Sequence, residues 1–256
     1  MKLKYCLLAL VLALPSLPAW GALQSKTINY SYGGKTLKGY LAYDDAIPGK
    51  RPGVLVFHEW WGLNDYAKSR ANQLAQAGYV AFAADMFGEG KVATHPEDAK
   101  AMVGEVTAKA PEWLGRASAA FKVLQGQTMV DAQRIAAIGY CFGGATVLQL
   151  AYSGAPLKLA ATFHGSLSAP EAPQNIKAKL LFFHGGKDPF TSAETIEQMK
   201  SKLDRAKISY QWVVFPEAMH GFTVPGSDKL GMKGVAYNAE ADQKSWTQLM
   251  GALKQI

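Results

Sequence analysis

From residue 53 onward the chain repeats one pattern: a short apolar run, then a longer stretch with apolar residues at helical spacing. The runs are Gly53–Phe57, Tyr79–Ala83, Arg134–Ile138, Leu159–Phe163, Lys179–Phe183 and Ile208–Phe215. Most are apolar on successive residues, as strands buried on both faces are. Asp65–Ala77, Pro96–Ala108, Glu112–Gln125, Ala145–Tyr152, Ala193–Ala206 and Ala239–Leu253 carry the helical period. Such alternation predicts an α/β fold, a mostly parallel central sheet flanked by helices. Two alternating stretches, Lys26–Tyr32 and Lys35–Tyr43, joined by Gly33-Gly34, predict an N-terminal antiparallel hairpin in front of it. No Ser/Gly linker, charge block or internal repeat divides the chain, so residues 22–256 are expected to form a single domain. An apolar content of 49% excludes a disordered chain.

In open parallel sheets ligands bind beyond the carboxyl ends of the strands, so the residues directly after each run are the candidates for chemistry. The run ending at Ile138 leads into Gly139-Tyr140-Cys141-Phe142-Gly143-Gly144 and then a helix. This is G-x-C-x-G in strand–turn–helix context, the cysteine form of the nucleophile elbow. The helix that begins there sets N–H groups and a positive dipole end beside the sulfur, favouring the thiolate. The N–H of Phe142 is placed to bind a developing oxyanion. Later runs end in loops presenting Asp188 and His220. Nucleophile, acid and histidine thus occur in the chain order of the α/β-hydrolase triad. In that arrangement His220 exchanges protons with thiol and leaving group, while Asp188 fixes its tautomer. After Gly53–Phe57 come His58-Glu59-Trp60-Trp61-Gly62. Trp60 is expected to supply the second oxyanion N–H, and Glu59 a carboxylate aimed at the same mouth.

These segments resemble the dienelactone hydrolase family of α/β hydrolases. The resemblance rests on the elbow Gly139–Gly144, the glutamate-bearing loop His58–Gly62, the segment Ala84-Asp85-Met86-Phe87-Gly88 and the histidine loop Met219-His220-Gly221-Phe222. It implies an α/β-hydrolase fold, a Cys141/Asp188/His220 triad, no metal and no organic cofactor. It also implies that a glutamate, here Glu59, switches the thiol on when substrate binds. The expected substrate is a small-molecule ester, lactone or thioester, cleaved through an acyl-enzyme. Dienelactone-cleaving members hold their substrate's carboxylate with two arginines, and the corresponding stretches here, Phe87-Gly88-Glu89-Gly90 and Phe222-Thr223-Val224-Pro225, contain none. A lysine does not replace a bidentate arginine clamp, so a different substrate is expected. Trp61, Phe87, Phe222 and His164 are the expected substrate-contacting side chains.

The first residues qualify the composition. Lys2 and Lys4, the apolar run Tyr5–Leu14, Pro15, Pro18 and Ala19-Trp20-Gly21 have the form of a secretory signal peptide over residues 1–21. Export to the periplasm or medium is the expectation, with no stable membrane insertion once the leader is removed. Lys2, Lys4 and Cys6 would leave with it, lowering the formal charge from +7 to +5 and leaving Cys141 as the one cysteine. The remaining charge is spread along the chain without a nucleic-acid motif, so no nucleic-acid partner is expected. His58, His164 and His184 each follow a strand, yet no metal-ligand spacing is present, and no metal site is expected. A monomer is expected. Two other functional readings stay open: a non-catalytic member of the fold that binds a ligand or senses oxidants through Cys141, and a peptidase or acyltransferase using the same triad.

Overall fold

Eight strands form one sheet in the computed structural model, which describes residues 23–256 apart from 168–172 and 174. They are β1 (Leu23–Tyr32), β2 (Lys35–Asp44), β3 (Arg51–Phe57), β4 (Val80–Ala84), β5 (Val130–Tyr140), β6 (Leu159–Phe163), β7 (Lys179–Gly185) and β8 (Tyr210–Phe215). The helices are α1 (Asp65–Gln76), α2 (Pro96–Thr107), α3 (Ala110–Gln125), α4 (Phe142–Tyr152), α5 (Ala193–Arg205) and α6 (Ala239–Leu253). The leader expected over residues 1–21 lies outside the described residues.

The strand order is β1-β2-β4-β3-β5-β6-β7-β8. β1 and β2 form the antiparallel hairpin; β2 also runs antiparallel to β4, and β3 to β8 are parallel to one another. Every residue of β4 and β6 is buried, as their unbroken apolar runs require, whereas β1 and β8 lie at the edges and alternate or stay partly open. β5 is longer than its apolar run. Val130 and Asp131 pair with Arg51 and Pro52, after which the register shifts so that Gly53 meets Ile135. That irregularity carries no hydrophobic signature.

From β3 the chain crosses to β4 on one side and later returns to β5 on the other. The loops leaving β3 and β5 therefore part at their carboxyl ends, which makes the crevice where such sheets bind ligands. Side chains of α2, α3, α4 and α5 pack in a core on one face of the sheet, and those of α1 and α6 in a core on the other. Arg70 of α1 is 5% exposed and pairs with Asp242 of α6, while its guanidinium also donates to the Thr223 carbonyl (3.0 Å). This ties the two helices to the loop that carries His220.

After β4, the fully buried Asp85 carboxylate accepts from the N–H groups of Lys38 (2.9 Å), Phe87 (2.9 Å), Gly88 (2.8 Å) and Gly90 (2.9 Å). Four such bonds fix a buried carboxylate and the turn around it. No helix among the described residues is long and apolar enough to cross a membrane.

Candidate active site

β5 delivers the chain to the crevice, and Cys141 makes the turn. Its backbone lies at φ +53°, ψ −114°, a conformation that costs a non-glycine residue on the order of 1–3 kcal/mol. Surrounding structure holds it there: the Cys141 N–H donates to Phe163 O (3.0 Å), and its carbonyl accepts from Gly144 (3.0 Å). Two glycines make room for the turn. A Cβ on Gly139 would lie 2.1 Å from Gly143 O, and one on Gly143 would lie 2.2 Å from Phe57 O. Phe142 opens α4, so its N–H has no acceptor within the helix and faces the site end of the dipole. Cys141 as a residue is partly exposed.

Two neighbouring strands bring the partners. Beyond β7, Asp188 accepts from the Phe190 N–H through Oδ1 (2.9 Å) and from His220 Nδ1 through Oδ2 (2.8 Å). Both oxygens are engaged, so the carboxylate is held in orientation. Beyond β8, the His220 backbone is pinned on both sides, its N–H to Gly234 O (3.1 Å) and its carbonyl to the Ala236 N–H (3.1 Å). Burial alone would lower the His220 pKa. The negative charge of ionised Cys141 and hydrogen bonds to Asp188 and Cys141 outweigh it and raise the pKa to about 10. Those partners favour the charged imidazolium form of His220.

Glu59 follows β3 and is 7% exposed. Burial raises its pKa to about 7, against the opposing pull of His220. His58 fixes the loop: its Nε2 accepts the Met86 N–H (3.2 Å), which leaves the ring proton on Nδ1 to donate to the Glu59 carbonyl. Burial lowers the His58 pKa, in keeping with that neutral tautomer.

A cavity of about 270 Å³ opens on this group, walled by Glu59, Trp60, Trp61, Cys141 and His220. Trp60 and Trp61 stand with ring centroids 5.0 Å apart. The remaining wall was not foreseen from sequence: Ser166, Phe190, Gly221, Val224, Ser227, Leu230, Met232 and Val235. Six of these belong to the chain between β8 and α6, which has no strong periodicity and returns to the site through the pairing of His220 with Val235.

Three of the expected substrate-contacting residues lie outside the cavity wall. Phe87 is 3% exposed and packs on Phe142 (5.8 Å) and His58 (4.8 Å). Phe222 is fully buried against Phe215 and His164. His164 is 1% exposed, bonds Thr223 Oγ1 through Nε2 (2.9 Å) and sets its ring edge-on to His220 at 5.0 Å. None of the three lines the cavity. An aromatic residue near a strand end serves the core as readily as a pocket, because the sheet's last residues are still covered by helices. Among the described residues no three His, Cys, Asp or Glu side chains are grouped as metal ligands.

A strained residue between strand and helix, over the crevice of a parallel sheet with a histidine–carboxylate pair beside it, defines the α/β-hydrolase architecture. The dienelactone hydrolase family profile matches residues 37–256, and the chain belongs to that family. A Yersinia pestis protein named as a candidate carboxymethylenebutenolidase is 26% identical over 239 residues, covering 85% of this chain and 83% of its own. The crystal structure of a dienelactone hydrolase-like promiscuous phosphotriesterase from metagenomic libraries is 38% identical, with a TM-score of 0.89, over 92% of this chain and 99% of that one. A dienelactone hydrolase of Anabaena variabilis, 20% identical at a TM-score of 0.61, shares the fold over 88% of this chain and 96% of its own.

Proposed function

We propose that the protein hydrolyses small carboxylic esters, lactones or thioesters through a covalent acyl-enzyme on Cys141. The observation that carries this reading is the Cys141–His220–Asp188 arrangement, opening on a cavity and held at a strained elbow. In the first half-reaction the Cys141 thiolate attacks the acyl carbon, and the oxyanion takes hydrogen bonds from the N–H groups of Phe142 and Trp60. The C–O bond then breaks as His220 gives its Nε2 proton to the leaving oxygen. In the second half-reaction neutral His220 takes a proton from water, the hydroxide adds to the thioester, and the C–S bond breaks to return the thiolate. Asp188 keeps the His220 tautomer throughout. Glu59, titrating near neutrality beside His220, is assigned as the group that sets the charge of the thiol–imidazole pair when substrate enters.

Retention of an acid and a histidine in register favours this reading over an oxidant sensor, which needs neither. The phosphotriesterase neighbour supports adding a phosphotriester to the test substrates. Export through residues 1–21 is part of the proposal and rests on the sequence pattern alone.

A panel of para-nitrophenyl esters, lactones and a phosphotriester tests the function on the wild type, Cys141→Ala and His220→Ala. Both variants are expected to lose at least about 1,000-fold in kcat, the scale on which members of such triads act. Full activity in Cys141→Ala would refute the thiol mechanism.

A further inference from the structure

The charge of the cavity wall points to a substrate class. Among the described residues, none that lines it is a lysine or arginine. Among the described lining residues the one potential cation is His220, which is already paired with Asp188 and the sulfur it serves. Its other ionisable groups are the Cys141 thiol and the Glu59 carboxyl, neither of which offers a carboxylate a positive charge. Arg70 is buried in its pair with Asp242, and Lys229 and Lys233, on the segment after β8, are exposed and outside the lining. The rest of the wall is mainly apolar and aromatic, its polar side chains being the uncharged hydroxyls of Ser166 and Ser227, the latter donating to the Gly221 carbonyl. Phe190 and Leu230, 62% and 49% exposed, extend that character to the rim. An apolar cavity of roughly 150 Å³ suffices for benzene, so about 270 Å³ accommodates a short alkyl or single-ring group.

We propose that the cavity admits an uncharged, apolar acyl group and excludes one that ends in a carboxylate. This rests on the acyl-enzyme reading, because the acyl group is the part that stays on Cys141 through both half-reactions. A carboxylate carried into this wall gives up its water and finds no cation, and an unpaired buried charge is strongly disfavoured. An alkyl group of the same length gives up water at a gain.

The test is a matched pair: para-nitrophenyl pentanoate and the para-nitrophenyl half-ester of succinic acid, which share a leaving group and differ at the acyl terminus. Wild-type kcat/KM is expected to favour the pentanoate by at least about 100-fold, the scale set by a desolvated group left without its partner. Val224→Arg puts a cation in the wall and is expected to raise the succinyl rate by about tenfold or more. Met232→Arg does the same from the neighbouring segment if Val224→Arg misfolds.

Binding separates this proposal from the mechanism. On Cys141→Ala, Trp60 and Trp61 fluorescence should report pentananilide binding at least about tenfold tighter than succinanilic acid, whether or not either ester is cleaved. Succinyl ester cleaved within threefold of the pentanoate, equal binding of the two anilides, or a succinyl preference lost in Lys233→Ala would each overturn the proposal. If the anilides differ as expected while neither ester reacts, the charge selection stands and the acyl-enzyme reading falls.

Discussion

Cys141 has a dihedral pair that almost any other residue would avoid, and it can hold it because Gly139 and Gly143 leave room for close backbone approach. Glu59 makes the opposite compromise, a carboxyl in a buried wall. Its pKa is raised from the usual 4.5 to about 7, so the folded protein keeps its proton where the unfolded chain has lost it. Protons bound in the native state but not in the unfolded one make stability fall as pH rises. The loss runs from about pH 4.5 to about pH 7 and is flat above it, with a ceiling of about 3 kcal/mol at 1.36 kcal/mol per pKa unit. Glu59→Gln should remove that slope and be the more stable protein at pH 8, measured by urea denaturation across the range. An unchanged slope would mean that Glu59 is solvated. At this scale the sequence was informative where chemistry demands a pattern. Cys141, Asp188, His220 and Glu59 follow strands in a known order, and the structure brings them together. The sequence did not show that Phe87, Phe222 and His164 are buried behind the cavity wall, because a position after a strand does not tell which way a ring turns.

Among the elements, β3 and α4 depend on each other most closely. The carbonyl of Phe57, at the end of β3, sits where a side chain on Gly143 would begin. Gly143→Ala would meet three backbone atoms, Phe57 O, Phe57 C and His58 O, at 2.2 Å, 2.5 Å and 2.6 Å, none of which can rotate away. We expect it to cost at least about 3 kcal/mol in urea denaturation, at the top of the range for overpacking, and to shift the Glu59 loop with it. A loss below about 1 kcal/mol would show that the contact relaxes freely. Strands and helices were legible because buried parallel strands and amphipathic helices have distinct periods. Most of the wall of the cavity was not. The chain from Gly221 to Val235 is ordered by turns and by its pairing to His220, and neither leaves a hydrophobic period to read.

For the whole molecule, the sheet's reversal of direction between β4 and β5 decides where the elements deliver their end residues, and the two cores hold those ends fixed. The signal-peptide pattern predicts that the exported protein starts at Ala22, carries a formal charge of +5 and has one thiol, Cys141. N-terminal sequencing of the protein from a periplasmic fraction checks this, and a full-length chain confined to the cytoplasm would contradict it. With Cys6 removed in the leader, that single thiol would make the central claim directly measurable. Intact-mass spectrometry of the mature protein, quenched with acid within its first turnovers on para-nitrophenyl pentanoate, should show one added pentanoyl group. Peptide mapping should place it on Cys141, and Cys141→Ala should carry none. Undiminished hydrolysis by Cys141→Ala, or rapid turnover with the acyl group trapped on some other residue, would contradict the account.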